Sequence, residues 1–497
     1  MKRIAFCTLI LLLSCQGLWL TLMAQSGDRR LNTALSFEKE GRYDEALTNY
    51  LRLFDSGASE EIILQAKLGA GRIYMEVFGD LGKAQSLFSE AANQVLFQDL
   101  AAQALVYNGK VKLATASSLQ DLDAAVSEFE TVIRTYPASE VMPQALMNSA
   151  LIYERQRKYV QAIAHYQAIV FQYPGSPLSG RALLRMGRSL VKTGEFTQAM
   201  DAYQNAQSRY PGTAASEQAK SEGSLVFRLF VLPSRQQQPY SGELLAAKAK
   251  ALPLNSPHRL SVMENGNLLV EDAKRVFTLS PEGQLQSSGT ARGMDFQDSQ
   301  GNLYRLTKNS VTLAQQRLPI PFFLNKEGKR KNFQQITSLA VDRYQQMMIS
   351  TKGPEGLYRV NRASGKVSLI SSSGGASSKM LLDSEDNLYL LSRDQSALLV
   401  FDRWGRSEER LSASSFGIKK MPDFALDSLD NLYLLDSNGQ FVVTGSRSLG
   451  EEHRLKAVHR QTVMDSRSRP LSNLRALAVG QDGAVFVAGK KEVLAFR

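Results

Sequence analysis

Between residues 34 and 212 one spacing recurs five times: a small residue, an alanine about twelve positions later, and an aromatic four after that. The alanine–aromatic pairs are Ala46/Tyr50, Ala84/Phe88, Ala125/Phe129, Ala162/Tyr166 and Ala199/Tyr203. The last three units also end alike, at Tyr136-Pro137, Tyr173-Pro174 and Tyr210-Pro211, each 37 residues from the next. A fixed period of this length implies stacked supersecondary units, each burying its apolar face on its neighbours. The best-formed unit holds Ala145, Leu146, Ala150 and Tyr153, a polar turn at Arg157-Lys158, then Ala162, Tyr166, Ile169 and Val170. That is the helical period twice over, so each unit is expected to be a pair of amphipathic helices. Alanine lets the second helix approach the first, the aromatic fills the space one turn away, and Pro174 stops the second helix.

This order of small, aromatic, alanine, aromatic and proline resembles the tetratricopeptide repeat (TPR) family over roughly residues 27–222. The units depart from the family in places: Lys112 and Leu190 stand where the first-helix aromatic belongs, and the third unit is longer before its alanine. The endings at Tyr136, Tyr173 and Tyr210 are similar to TPR proteins of the bacterial envelope, such as the assembly lipoprotein BamD and the division coordinator CpoB. The resemblance implies a superhelix of five helix pairs plus a capping helix, its first helices lining a concave groove. Groove-facing positions would then include Arg72, Lys110, Arg181 and Arg188, with Glu38 and Glu154 nearby, able to grip an acidic segment or a chain-terminal carboxylate. The plainer reading makes them solvated helix faces.

Ala214–Val231 reads as a closing helix. A polar stretch with Gln236–Gln238 and Pro239 follows, so a linker is expected over 223–244. From about residue 245 the period changes to alternation. Short apolar strands are punctuated by Asp/Gly/Asn turns in units beginning at Leu260, Met294, Leu339, Leu381, Phe424 and Leu477. Six such units read as a β-propeller. The turn spelled Asp383-Ser-Glu-Asp-Asn-Leu-Tyr389 and the strand ending Val400–Gly405 resemble the six-bladed NHL-type propeller. The expected fold is thus multidomain, an all-α TPR superhelix (27–222) followed by an all-β six-bladed propeller (245–497). The unit at Leu339 lacks the turn's glycine and asparagine. Closure of the ring is expected from antiparallel pairing of Leu244–Leu254 with Val493–Arg497, which removes an open sheet edge.

Lys2 and Arg3, followed by an apolar run to Ala24, read as an export leader over 1–24. Cleavage near Ala24, lipidation at Cys15 within Leu12-Leu13-Ser14-Cys15, and an uncleaved anchor are the alternatives. Both cysteines, Cys7 and Cys15, lie in this segment, so the mature chain has no thiol for a disulfide, for catalysis or for a metal. Lys and Arg number 59 against 48 Asp and Glu, an excess of +11 spread along the chain. Its densest run is Lys326, Lys329, Arg330 and Lys331, expected to be a solvated loop.

No catalytic constellation, metal set or cofactor motif emerges, and none is expected. The four histidines, His165, His258, His453 and His459, share no ligand spacing. Asp342, Asp383 and Asp427 recur at the ends of first strands. They could form a carboxylate ring for a cation, but as turn residues they are expected to cap their own turns. Arg403, Trp404 and Arg406 make a basic–aromatic cluster in which Trp404 could touch a partner or pack between blades. The leading expectation is a non-enzymatic scaffold in the periplasm or at the outer membrane, binding a protein or peptide, with no nucleic acid. Peptidoglycan or a membrane surface stands as a further contact. The alternatives are a hydrolase or lyase at the propeller mouth and a glycan-binding envelope protein.

Overall fold

The computed structural model describes residues 27–232 except 95 and 117. Beyond these it describes 242–244, 254–263, 265–290, 294–297, 303–307, 310–313, 316–318, 323–324, 330–331, 333–342, 346–353, 355–361, 366–372, 377–447, 455–464 and 470–497. Eleven helices lead: α1 (27–39), α2 (Tyr43–Leu53), α3 (Glu60–Ile73), α4 (Leu81–Ala92), α5 (Gln98–Thr115), α6 (Leu119–Thr135), α7 (Met142–Arg155), α8 (Tyr159–Gln172), α9 (Ser179–Thr193), α10 (Phe196–Arg209) and α11 (Ala214–Val226). Side-chain caps begin several of them. Asp80 accepts from the Lys83 amide, Ser118 from Asp121 and Thr213 from Ser216, each satisfying an otherwise orphaned donor. Two helices overrun into π-helical turns, Tyr74–Phe78 and Phe227–Val231.

All ten residues of the five alanine–aromatic pairs are fully buried. In three of the units the aromatic of the second helix packs against a glycine of the preceding first helix. A Cβ added at Gly71, Gly109 or Gly187 would lie 2.5, 2.7 or 2.6 Å from the ring of Phe88, Phe129 or Tyr203. In these units the small residue is therefore a steric requirement of the aromatic.

The chain divides into two compact units. One runs to Gln156 and includes Ala164–Leu178; the other comprises Arg157–Ile163 and Ser179–Arg497. Helices α9–α11 thus share a unit with the sheets. The stretch expected as linker, 223–244, is helical as far as Val231 and carries a strand at Gly242–Leu244. Residues 233–241 of that stretch lie outside the described residues.

Five four-stranded antiparallel sheets are each built from consecutive strands, and these are sheets one to five. They span Arg259–Val262 to Leu285–Thr290, Met294–Gln297 to Gln316–Leu318, Gln334–Val341 to Val367–Ser371, Met380–Leu382 to Ser407–Ser412, and Phe424–Leu426 to Ala457–Thr462. A further sheet, sheet six, is composite: Ala476–Val479, Val485–Ala488 and Val493–Phe496 are completed by Gly242–Leu244. The completing strand runs antiparallel to Val493–Phe496, with Gly242 opposite Phe496 and Leu244 opposite Leu494. Pairing between the two ends was expected, but it engages the residues just before the segment anticipated, of which only Leu244 takes part. Residues 245–253 lie outside the described residues. The unit at Leu339, whose turn looked weakest, forms a full sheet with two eight-residue strands. In the basic run, Arg330 and Lys331 pair with Leu324 and Phe323 in a short hairpin, so this part of the expected loop is strand.

Each core cluster of the sheets straddles two neighbours. Tyr304 and Leu306 pack with Ile349 between sheets two and three, and Leu357 with Leu390 between three and four. Tyr389 packs with Phe424 between four and five, Phe441 with Phe496 between five and six, and Phe486 with Phe277 between six and one. This is the packing of a β-propeller, in which neighbouring blades bury each other's faces.

Gly109→Ala is expected to destabilise the protein by about 1–3 kcal/mol, because Phe129 must leave its seat. Gly175→Ala, where an added Cβ meets nothing within 4 Å, is expected to stay near wild type in thermal unfolding.

Candidate functional site

The acidic turns come first, because they recur. Asp383 Oδ1 accepts from the amides of Glu385 and Asn387, both at 2.9 Å, and Oδ2 accepts from Asn387 Nδ2 and the Tyr389 hydroxyl. Asp427 repeats this set with Leu429, Asn431 and Tyr433. In sheet three, Asp342 Oδ1 accepts from the Gln346 amide at 2.8 Å. Each of the three carboxylates thus caps its own turn, as Asp does when its side chain folds back on nearby amides. Asp386 and Asp430 occupy the left-handed position of these turns, with φ of 64° each.

Asp430 also has a partner that sequence reasoning missed. Lys192, near the end of α9, is buried and donates from Nζ to Asp430 Oδ2 at 2.7 Å, and to Leu429 O and Ser446 Oγ at 3.2 Å. Three acceptors match the three protons of an ammonium. Beside it, Arg157 Nε donates to Glu385 Oε2 at 3.0 Å, and the Tyr159 hydroxyl to Glu385 Oε1. Leu225 of α11 meets Gly483 of sheet six, and Leu229 packs into the core between sheets five and six. The first-to-second-strand turns of sheets four to six are therefore covered by helical elements of the same unit.

Charge balance at this seam is uneven. Burial presses the Lys192 ammonium down, but Asp430 and Glu385 outweigh it and its pKa is raised. Burial raises Asp430, and Lys192 outweighs it, so that carboxyl is lowered. Asp383 has no ion pair among the described residues; burial, then the charges of Asp430 and Glu385, push it up to about 7. Burial raises Asp427 to about 6.

The sequence-predicted groove residues divide sharply. Arg72 Nη2 sits 2.9 and 3.0 Å from the two oxygens of Glu38, which also accepts from the Tyr50 hydroxyl at 2.6 Å. Arg188 forks onto buried Glu222, with Nε 2.9 Å from Oε2, and Tyr203 donates to the same carboxylate. These two arginines tie successive first helices together. Lys110 is half-buried, with Nζ 4.9 Å from the Tyr107 ring centroid and no ion pair among the described residues. Burial lowers its pKa against the opposing charge of Glu76. Glu154 is half-buried and Arg181 exposed.

Trp404 is half-buried, flanked by the guanidinium groups of Arg403 and Arg406 at 5.6 and 5.0 Å from its ring. Among the described residues its indole N–H has no hydrogen-bond partner. Among the histidines, His165 lies edge-on to Tyr153 with Nε2 3.6 Å from Glu130, and burial lowers its pKa. His459 Nε2 meets Gln461 Oε1 at 3.3 Å. His258 precedes sheet one, and His453 lies outside the described residues. Among the described residues no group of three His, Cys, Asp or Glu is placed to hold a metal ion.

At the opposite end of the first strands, Lys379 Nζ lies 2.9 Å from Asp423 Oδ1 and 3.0 Å from Leu477 O. Asp423 Oδ2 accepts from the Leu477 amide at 2.7 Å. This triple contact ties sheets four, five and six together at their inner ends. Burial lowers the Lys379 pKa, with Asp423 opposing.

Models of the tetratricopeptide repeat match residues 115–177 and 181–213. A comparison with curated proteins finds no match. Solved structures similar to this chain include virginiamycin B lyase from Staphylococcus aureus, at 9% identity over 52% of this chain and 98% of that one, TM-score 0.33. A gluconolactonase from Xanthomonas campestris is 13% identical over 52% and 89%, TM-score 0.36. A calcium-binding regucalcin from Agrobacterium tumefaciens is 12% identical over 52% and 93%, TM-score 0.36.

Lys192→Met leaves the Asp430 carboxylate buried without its cation and is expected to cost about 3–5 kcal/mol. Adding Asp430→Asn is expected to recover part of that loss in chemical denaturation. For Asp383 the folded pKa of about 7 lies above the ordinary 3.8, so the native state takes up the proton first. Its contribution is present at low pH and is lost as pH rises through that window. The melting temperature of Asp383→Asn relative to wild type is therefore expected to improve from about pH 4 to about pH 7, and to level off above.

Proposed function

We infer that this protein is an exported scaffold of the cell envelope that binds a protein or peptide through the first helices of its repeats. In this reading the leader is removed near Ala24, and the six sheets act as one six-bladed ring of NHL type. The observation that carries it is the folding of the residues matched as tetratricopeptide repeats into successive helix pairs. Such arrays generally serve as extended binding surfaces.

The pairing pattern narrows the recognition surface. Arg72 and Arg188 are committed to Glu38 and Glu222, so they serve the array itself. Lys110, beside Tyr107 and without an ion pair among the described residues, is the cation best suited to meet a carboxylate of the partner. Leaving water already weakens its charged form, and a carboxylate would restore it.

The test is capture from envelope extract on the immobilised mature chain, followed by affinity measurement with the captured protein. Lys110→Ala is expected to weaken binding by roughly tenfold, a loss of the order of 1–2 kcal/mol, with the melting temperature unchanged. Arg72→Ala is expected to lower the melting temperature instead. Equal affinity of the Lys110 variant, or a protein found only in the cytoplasm, would overturn the reading.

A further inference from the structure

In an antiparallel meander, successive turns alternate between the two faces of the sheet stack. The first-to-second and third-to-fourth turns share one face. The second-to-third turns and the connections between sheets share the other. Lys192, Arg157, Tyr159 and Leu225 all meet the first face, at sheets four to six. The second face carries a different chemistry. Lys274 lies on the second-to-third turn of sheet one, Lys352 at that of sheet three, and Lys490 and Lys491 on that of sheet six. Lys419 and Lys420 lie on the connection from sheet four to sheet five.

All six are exposed, and none has an ion pair among the described residues. Among the side chains described, the carboxylates on these turns and connections are buried or half-buried except Asp394, which is exposed and charged. Asp272 accepts from the amides of Asn255, Ser256 and Ala273. Asp394 accepts from the hydroxyls of Ser392 and Ser396, which with the Ser396 amide hold it down at about 2. Glu492 is half-buried. Among the described side chains, exposed lysines on this face therefore outnumber exposed carboxylates, six to one, on turns belonging to several blades.

We propose that this second face docks on an anionic lipid bilayer. The charge sits on separate turns around the stack. A point ligand would gain from one or two of these lysines; a continuous layer of phosphate headgroups meets all of them. Each lysine brought to such a surface contributes about 1 kcal/mol, so six make a binding patch that salt screens strongly. Among the described residues of this unit, the helical contacts with the sheets named above fall on the first face. The inference concerns the sheets alone and does not rest on the partner proposed for the repeats.

The experiment is co-sedimentation of the mature chain with vesicles of phosphatidylcholine alone, and with vesicles also containing phosphatidylglycerol, at low and at high salt. Binding is expected only to the anionic vesicles and is expected to fall steeply with salt. Lys419→Ala, Lys420→Ala, Lys490→Ala and Lys491→Ala combined are expected to weaken it by roughly a hundredfold or more, with the melting temperature unchanged. Arg181→Ala, on a helix, is expected to leave it unchanged. Equal sedimentation with both vesicle types, insensitivity to salt, or full binding by the combined variant would overturn the proposal. So would retention on soluble polyglutamate without retention on vesicles, which would mark the face as a site for an acidic protein.

Discussion

Closure of the sheet stack by Gly242–Leu244 is the constraint from which the rest of its unit follows. A strand pairing row left open on Val493–Phe496 would be an exposed edge, ready to pair with another chain. Filling it with residues that precede every other strand fixes where the helical part must hand over. Helix ends at Val231 and strand begins at Gly242, and the residues between can span at most ~35 Å. The last helix is thereby held near sheet six, which is where Leu225 and Leu229 make their contacts.

The acidic turns then do two things with one sequence pattern. In sheets four and five, Asp383 and Asp427 hold their turns shut from within, using up both carboxylate oxygens. The acids that follow, Glu385 and Asp430, face outward from the same turns and receive Arg157 and Lys192. A turn of this kind needs a residue that tolerates positive φ, and at Asp430 the chain uses a carboxylate where glycine would serve. The extra side chain becomes the seat of the buried lysine, and Asp430 links sheets four and five by accepting from the Ser384 amide.

Much of this was legible in the sequence, for local reasons. The alanine–aromatic pairs sit four residues apart, so their shared burial follows from helical geometry alone. The capping role of Asp342, Asp383 and Asp427 also involves only neighbours. Lys192 with Asp430, and Lys379 with Asp423 and Leu477, could not be read in the same way. Each joins residues from different units of a repeat, and nothing local distinguishes them from solvated lysines. One signal was present: Lys192 follows Leu190 and Val191 on the buried side of α9, a place where a charge needs a partner. Arg72 and Glu38 were both placed near the groove, yet their mutual pairing needed the offset between first helices. The sheet at Leu339 looked doubtful because its turn lacks glycine and asparagine. Its eight-residue strands supply by length what the turn does not signal.

The order in which the polypeptide leaves the ribosome gives the closing strand one more meaning. Gly242–Leu244 is made before any of the sheets, but its mate Val493–Phe496 emerges after all the strands it must enclose. The stack can therefore assemble blade by blade while its first strand waits without a neighbour. Until the final hairpin arrives, that waiting segment is open to mispairing during biogenesis.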